Sequence, residues 1–321
     1  MQSYAEALVD ALYDSLAADA RVSLIGSYVL GLGPQRHLMD RVRKDFRDRI
    51  DDPPTSEAGA AATGIGAAMA GMRPFVDLGT GSFSYLAWSQ LTNEAPVSYY
   101  MSGGKIPVPV TFHLLHGVRG GGAAQHSHSP QSMLCNVPGL EIAAPSTAAD
   151  VYGLVRTAFM SSNPTVIVSH AKLLPIATPA ADPKRPIPFG HADIKRRGRD
   201  ITIVANSLMV HLSLAAAETL AREGIEAEVV DVRTLAPLDE TTILESVGRT
   251  GRLVVVDECP LRCGFASEVS ASVVEQGFDL LKAPIRRVTR AQVPVPYSPP
   301  LEAALTPDAD KIVAAARKVM G

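Results

Sequence analysis

Glu57 is the first residue in this sequence whose setting suits proton transfer. It lies in Asp51–Pro74, DDPPTSEAGAAATGIGAAMAGMRP, just after Thr55 and Ser56, either of which can cap a helix. The predicted helix is almost entirely small and apolar, so its first carboxyl is poorly solvated and prepared to give and take a proton. A first-turn glutamate that only interacts with the helix dipole has the same spacing. Spacing alone leaves both interpretations open.

A second group is the histidine-rich segment His113–Pro130, HLLHGVRGGGAAQHSHSP. Histidine titrates near neutrality and is the usual proton carrier, while the glycines at 120–122 let a backbone approach a ligand closely. His126 and His128 face the same way if the chain there is extended. A zinc site needs three or four converging ligands, and no Asp, Glu or Cys stands beside these histidines. We therefore predict no metal site, and a loop with incidental histidines remains the alternative.

A third group, Gly81–Lys105, begins GSFSYLAWSQ and brings aromatic residues to the start of a helix-like stretch. Phe83 could stack on a flat heterocycle, and Gln90 follows it. An aromatic residue in such a position more often packs in a core. Both interpretations stay open at this point.

The elements that must position these groups alternate between short apolar runs and amphipathic stretches. In the first half, candidate strands lie near Val22, Pro74, Val108, Leu140 and Thr165, and candidate helices at Tyr4–Leu16, Glu57–Ala70, Tyr85–Ala95 and Ala148–Met160. Alternation of this kind predicts a mostly parallel sheet that is covered by helices on both faces.

A Pro-rich stretch without periodicity interrupts this pattern and indicates a linker at residues 176–190. The alternation then restarts with strand-like ITIVAN, EAEVVDV and RLVVVDE and with helix-like Leu208–Glu223, Glu240–Val247, Gly264–Gln276 and Ala309–Met320. We therefore predict an α/β protein with two doubly wound domains, at residues 1–175 and 191–321.

Composition and missing motifs exclude several functions. The 321 residues are 46% hydrophobic and 20% charged with a formal net charge of −3, as in an ordinary globular protein of two domains. No basic face for nucleic acid and no run that could cross a bilayer is evident. Three cysteines without a signal peptide predict a cytoplasmic protein. Dinucleotide (GxGxxG), phosphate-loop (GxxxxGK[ST]) and GxSxG motifs are all absent.

Taken together, the segments resemble the beta subunit of the decarboxylating component of 2-oxo-acid dehydrogenase complexes, the family of the pyruvate, branched-chain 2-oxo-acid and acetoin enzymes. The resemblance runs through YAEALVDAL, SEAG, GIGAAMAGMRP, YYMSGG and AAQHS in the first half. It continues through VPGLEIAAPST, GIEAEVVDVRTLAPLD, SVGRTGRLVVVDE and VPVPYSPPLE. Order and spacing match over nearly the whole chain.

The resemblance implies a pyrimidine-binding domain, a transketolase C-terminal-type domain and thiamine diphosphate as cofactor. Glu57 matches the glutamate that hydrogen-bonds the ring nitrogen of the aminopyrimidine, and Phe83 matches the aromatic residue stacked on that ring. We place Gln90 with them as a cofactor-binding candidate. His126 matches the histidine that stabilises intermediates and assists transfer to a lipoyl group.

The resemblance also implies an alpha subunit, which holds most of the Mg²⁺ and diphosphate contacts on a GDG motif that this sequence lacks. Two alpha and two beta chains then form a heterotetramer that serves a lipoyl-bearing or other carrier-protein acceptor. The sequence departs from the family around the site. Ser27 replaces a glutamate, His116 an asparagine and His128 a glutamine, and Ser161 replaces an acid near a monovalent-cation site, so no potassium site is expected.

Three functional hypotheses follow. The first is a conventional 2-oxo-acid dehydrogenase subunit that decarboxylates its substrate and transfers the acyl group to lipoyl. The second is a specialised relative that moves a two-carbon ketol unit from a ketose to a carrier protein or another acceptor, with His116 and His128 as donors to sugar hydroxyls. The third is a beta-like subunit kept only for assembly, which the loss of the acid at Ser27 motivates.

Overall fold

A computed structural model describes residues 1–26, 35–182 and 184–321 of the chain. Ser27, where the family has an acid, lies outside the described residues. The chain forms two compact units. The first comprises Met1–Gly117 and His126–Phe189, and the second comprises Val118–Gln125 and Gly190–Gly321.

The first unit alternates helices with parallel strands. Its helices are α1 (Tyr4–Ala18), α2 (Asp40–Asp45), α3 (Glu57–Met69), α4 (Ser98–Met101), α5 (Gln131–Cys135) and α6 (Ala148–Met160). Its main strands are β1 (Val22–Ile25), β2 (Ile50–Asp51), β3 (Arg73–Thr80), β4 (Thr111–His116), β5 (Glu141–Ala143) and β6 (Thr165–His170). They lie in the order β5-β6-β4-β3-β1-β2, and every neighbouring pair is parallel.

The central strands of this sheet are buried on both faces, which is why their sequences are mostly apolar and do not alternate between apolar and polar residues. Every residue of β6 is buried, as is almost every residue of β3 and β4. Helix α1 begins at a capping box in which the Ser3 side chain accepts from the Glu6 N–H and the Glu6 carboxylate accepts from the Ser3 N–H. The predicted α/β class with a parallel sheet is confirmed.

The predicted continuous helix at Tyr85–Ala95 is wrong in detail. The structure has a 3₁₀-helix at Gly81–Tyr85 and a π-helix at Gln90–Glu94, in which the Ala95 N–H donates to the Gln90 carbonyl at 3.0 Å. The apolar pattern indicates a helix, but it does not distinguish an i to i+5 bond from an i to i+4 bond. Single π turns occur often at functional sites.

The second unit is a smaller sheet with helices. Its sheet comprises β7 (Asp193–Arg196), β8 (Ile201–Ala205), β9 (Ala227–Asp231), β11 (Leu253–Pro260) and β12 (Arg286–Arg290), and the short strand β10 (Thr234–Ala236) lies outside that sheet. Its helices are α7 (Leu208–Arg222), α8 (Glu240–Thr250), α9 (Phe265–Gly277), α10 (Pro299–Leu305) and α11 (Ala309–Met320). The sheet order is β12-β11-β8-β9-β7, with only the β7–β9 pair of this order antiparallel. No described helix of either unit is long and apolar enough to span a bilayer.

Asp257 is a buried carboxyl in the middle of this second sheet. Its Oδ1 accepts from the Cys259 N–H at 3.2 Å and lies 3.5 Å from the Asn206 amide, while Oδ2 has no hydrogen-bond partner among the described residues. Burial raises the pKa of the Asp257 carboxyl above its usual range. Since the folded chain holds this proton more tightly than the unfolded chain, the contribution of Asp257 to stability is present at acid pH. It is lost as pH rises through the raised pKa.

We therefore expect Asp257→Asn to raise the free energy of unfolding at pH 8 by about 1–3 kcal/mol, because an amide neither buries a charge nor has to take up a proton at that pH. The gain should shrink at pH 5. Urea unfolding at the two pH values measures it, with Asp279→Asn on the surface as the control. An identical effect of Asp257→Asn at both pH values would show that the carboxyl does not change its ionisation.

Candidate active site

Glu57 lies at the start of α3, where the local sequence fixes its position. The Ser56 side chain caps the helix and accepts from the Gly59 N–H at 3.2 Å. Glu57 is only 6% exposed. In the described part of the chain its carboxylate forms no hydrogen bond. Neither carboxylate oxygen is among the fully buried, unpartnered atoms of the described residues, so the group is still accessible and can accept a hydrogen bond from a group outside the chain.

Phe83 and Tyr85 on the 3₁₀-helix each contact one histidine of the HSHS motif. The ring of Phe83 meets that of His126 edge-on, with centroids 5.5 Å apart, and Tyr85 meets His128 in the same way at 5.4 Å. The Tyr85 hydroxyl lies 3.4 Å from His128 Nδ1. The structure therefore places an aromatic ring and an exposed histidine next to each other.

Close backbone packing brings these two segments together. A Cβ on Gly81 would lie 3.0 Å from Pro130 Cδ and 3.3 Å from the His128 carbonyl oxygen. The same carbonyl accepts from the Gly117 N–H at 3.2 Å. A side chain at position 81 would therefore require Pro130 or the His128 carbonyl to shift by a few tenths of an ångström.

His116 lies in the interior below this segment. It is 2% exposed, its ring packs edge-on against His170 at 4.9 Å, and its Nδ1 lies 3.4 Å from Ser129 Oγ. Gly117 follows with φ +95°, and a Cβ there would overlap the His170 ring. His116 is thus a packed residue at the end of β4, and its predicted contact with a substrate stays a prediction.

His113, the first histidine of the histidine-rich segment, belongs to a row of polar side chains that crosses the sheet. His113 Nδ1 lies 3.4 Å from Asp77 Oδ1, and its Nε2 lies 2.9 Å from Ser169 Oγ, which is 2.8 Å from the Tyr4 hydroxyl. All four residues are buried. Since they join β3, β4, β6 and α1, they fix the strands whose ends carry the site. These contacts could not be predicted from the sequence, because the four residues lie far apart and within mostly apolar segments.

Two buried polar side chains beside His126 and His128 lack partners. Ser127 Oγ and both amide atoms of Gln131 form no hydrogen bond within the described residues, although Gln131 is fully buried. Each unsatisfied group costs about 1–3 kcal/mol. Sequence analysis did not single out either residue. The unpartnered atoms of Ser127 and Gln131 next to His126 are consistent with a segment that binds a ligand or a partner chain.

Gln90 lies in the π-helix and is half-buried. Its backbone carbonyl accepts from Ala95, and its side chain makes no hydrogen bond to any described residue. Its predicted contact with a cofactor stays a prediction.

Polar groups near Ser161 satisfy one another. The Arg73 guanidinium donates to the carbonyls of Phe159 and Ser161 at 2.7 Å each, and Ser161 Oγ donates to Glu141 at 2.7 Å. The two carbonyls are thus engaged by the Arg73 guanidinium, and the expected absence of a potassium site stays a prediction. Across residues 1–26, 35–182 and 184–321, no group of three or more His, Cys, Asp or Glu side chains is arranged to hold a metal ion.

Comparison with known proteins gives matches over both units. Residues 1–176 match the family model "Transketolase, pyrimidine binding domain", and residues 190–312 match "Transketolase, C-terminal domain". The beta subunit of acetoin:2,6-dichlorophenolindophenol oxidoreductase from Cupriavidus necator is 45% identical to this chain. The matched region covers 85% of this chain and 81% of that subunit. Subunit beta-1 of the mitochondrial pyruvate dehydrogenase E1 component from Arabidopsis thaliana is 39% identical over 98% of this chain and 88% of its own.

A solved structure, "Split gene transketolase, inactive beta4 tetramer", superposes with a TM-score of 0.82 over 99% of this chain and 98% of that one. Its sequence is 23% identical, so this likeness establishes a shared fold.

Proposed function

Because this chain belongs to the transketolase-like family, with a pyrimidine binding domain followed by a transketolase C-terminal domain, we propose that it is the beta subunit of a thiamine-diphosphate-dependent 2-oxo-acid dehydrogenase. The family resemblance that the sequence predicted is confirmed. The observation that carries the proposal is Glu57, a buried carboxyl at a helix start with no hydrogen-bond partner in the described chain.

The residues present fit the cofactor. Glu57 would hydrogen-bond the ring nitrogen of the aminopyrimidine, which satisfies a carboxyl that is otherwise unpaired. Phe83, half-buried and held against His126, offers a flat face to the same ring. Gln90 is the third cofactor-binding candidate. Thiamine diphosphate, when bound, supplies a carbon nucleophile and an electron sink for decarboxylation of a 2-oxo acid.

The chain's own residues orient the cofactor and move protons. Glu57 would exchange a proton with the ring nitrogen of the bound cofactor. His126 is exposed and therefore able to meet a substrate. It would hold a proton at the substrate oxygen and assist acyl transfer to a lipoyl group. The edge contact of His126 with Phe83 supports a position of its imidazole near the proposed cofactor ring.

An alpha subunit completes the active site in this proposal. The sequence has no GDG motif to hold the diphosphate and Mg²⁺, and the relatives named above are themselves beta subunits. We propose a heterotetramer of two alpha and two beta chains in the cytoplasm, with a lipoyl-bearing or other carrier-protein domain as acceptor.

Co-expression with the alpha-like partner tests the proposal. The purified pair, supplied with thiamine diphosphate and Mg²⁺, is assayed for carbon dioxide release from pyruvate and branched-chain 2-oxo acids and for cleavage of acetoin. We expect turnover of at least one of these donors, with the beta chain alone as the control. A pure, folded pair that consumes none of them would contradict the dehydrogenase function.

Transfer of a two-carbon ketol unit is the second candidate, and the position of His128 favours it. His128 is half-buried next to His126 and is held by the Tyr85 ring and hydroxyl. An imidazole there can donate to a sugar hydroxyl or phosphate. If ketose phosphates are the donors, His128→Gln, which restores the family's residue, should lower their turnover. His116→Asn makes the same test at the buried position.

A further inference from the structure

The segment Val118–Gln125 connects β4 to His126 and groups with the second compact unit. Two carboxylates of that unit bind its backbone. Glu258 Oε1 accepts from the Val118 N–H at 2.6 Å, and Glu302 Oε1 accepts from the Gly121 N–H at 3.0 Å. These bonds span 140 and 181 residues of sequence, so they are tertiary contacts and not local turns.

Both carboxylates are built into the interior. Glu258, in β11, is 3% exposed, and Glu302, in α10, is 4% exposed. Burying a carboxylate costs free energy unless hydrogen bonds replace its water. Bonds from backbone N–H groups to an ionised carboxylate are about twice as strong as neutral ones. The chain therefore holds two costly groups in place, and each binds the segment that precedes His126.

The segment has a defined conformation as well as anchors. Gly120 and Gly121 have φ values of +86° and +74°, and Ala123 also lies in the left-handed region with φ +51°. A non-glycine residue there costs roughly 1–2 kcal/mol and persists when its surroundings hold it. The ring of Tyr297 packs over Gly121, at 3.4 Å from where a Cβ would lie.

We propose that Glu258 and Glu302 are positioning residues for His126. His126 follows this segment in the chain. Its ring also meets Phe83 edge-on, and the carbonyl of His128, two residues later, accepts from the Gly117 N–H. Release of the segment at Val118 or Gly121 leaves the imidazole free to move away from its working position. The proposal rests on the catalytic role of His126 given under the proposed function, since neither glutamate is expected to contact substrate.

The test uses the complete alpha–beta enzyme with cofactor and three substitutions of one glutamate. Glu302→Ala removes the acceptor, Glu302→Asp retracts the carboxylate by one methylene, and Glu302→Gln keeps a carbonyl acceptor. Hydrogen exchange of residues 118–126 is followed by mass spectrometry, together with kcat, KM and the pH profile of kcat. Glu228→Ala is the matched control. Glu228 is a buried carboxyl of the same unit that bonds to Ser246 at 2.6 Å and to Arg249.

We expect Glu302→Ala to speed exchange in residues 118–126 about 10-fold and to lower kcat about 10- to 100-fold, as misplaced catalytic groups do. KM should change less than 3-fold. Glu302→Asp should show the same changes in weaker form, and Glu302→Gln should recover most of both. Glu228→Ala should leave exchange in the segment and kcat unchanged. Glu258→Ala should resemble Glu302→Ala, with the faster exchange centred on Val118.

Two results overturn the proposal. One is unchanged exchange in residues 118–126 of Glu302→Ala and Glu302→Asp. The other is faster exchange with kcat and its pH profile as in the unmodified enzyme, which would make the anchors structural only. If Glu302→Ala does not fold, the Asp and Gln variants decide between the same outcomes. Failure of the proposed function is distinguished by His126→Asn, since an unaffected rate in that variant removes the catalytic role while the exchange result stands.

Discussion

Glu57→Gln is expected to lower kcat of the reconstituted enzyme by about 10²- to 10³-fold, within the usual range for losing a general acid–base group. Glutamine has the shape of glutamate and can still hydrogen-bond, but it does not exchange a proton with a ring nitrogen. Carbon dioxide release at saturating 2-oxo acid measures the loss. Glu245→Gln, on the exposed face of α8, is the control and should retain full activity.

Thermal unfolding separates this effect from misfolding. In the described chain the Glu57 carboxylate has no hydrogen bond to lose, and glutamine keeps the size of the side chain while it removes a charge from a mostly buried residue. We therefore expect the melting temperature of free Glu57→Gln to equal or exceed that of the unmodified chain. A variant that melts lower and is inactive would indicate a structural role, and full activity in a stable variant would contradict the assignment of Glu57.

The parts of the fold that local sequence determines were predictable. Runs such as TVIVSH at Thr165–His170 and ITIVA at Ile201–Ala205 are rich in β-branched residues, and each is a buried parallel strand. The helix after Ser56 was predicted at Glu57–Ala70 and found at Glu57–Met69. Here helix or strand propensity, capping and hydrophobic pattern all favour the same local structure, and tertiary packing does not change it.

What decides the site is contact between distant segments, and local pattern does not determine such contacts. The pairing of Phe83 with His126 depends on the close approach of Gly81 to Pro130. The anchoring of Gly121 by Glu302 joins residues 181 positions apart. Sequence reasoning identified Glu57, Phe83 and His126 as candidates because their types carry the chemistry. The residues that hold the neighbouring histidines, Tyr85 against His128 and His170 against His116, were not identified as supports from the sequence, and neither were the two anchoring glutamates.

His126→Asn is expected to lower kcat by about 10²-fold or more, because the imidazole is the proton carrier proposed at the substrate oxygen. Asparagine keeps a polar side chain of similar reach but does not titrate. If His126 acts mainly in transfer to lipoyl, release of carbon dioxide with an artificial electron acceptor should fall less than the reaction with a lipoyl domain. Measuring both reactions separates the two roles. His191→Gln, at an exposed site in the second unit, is the control.

The contact between His126 and Phe83 makes a further test of this role possible. Their rings meet edge-on, so removing either one changes the setting of the other, and their effects should not add. In a double-mutant cycle with Phe83→Leu, we expect the loss in kcat for the pair to be clearly smaller than the product of the single losses. Strict multiplication would mean that the two side chains act independently. Phe83 would then contact the cofactor ring without affecting His126. The position of His126 would not depend on the Phe83 ring.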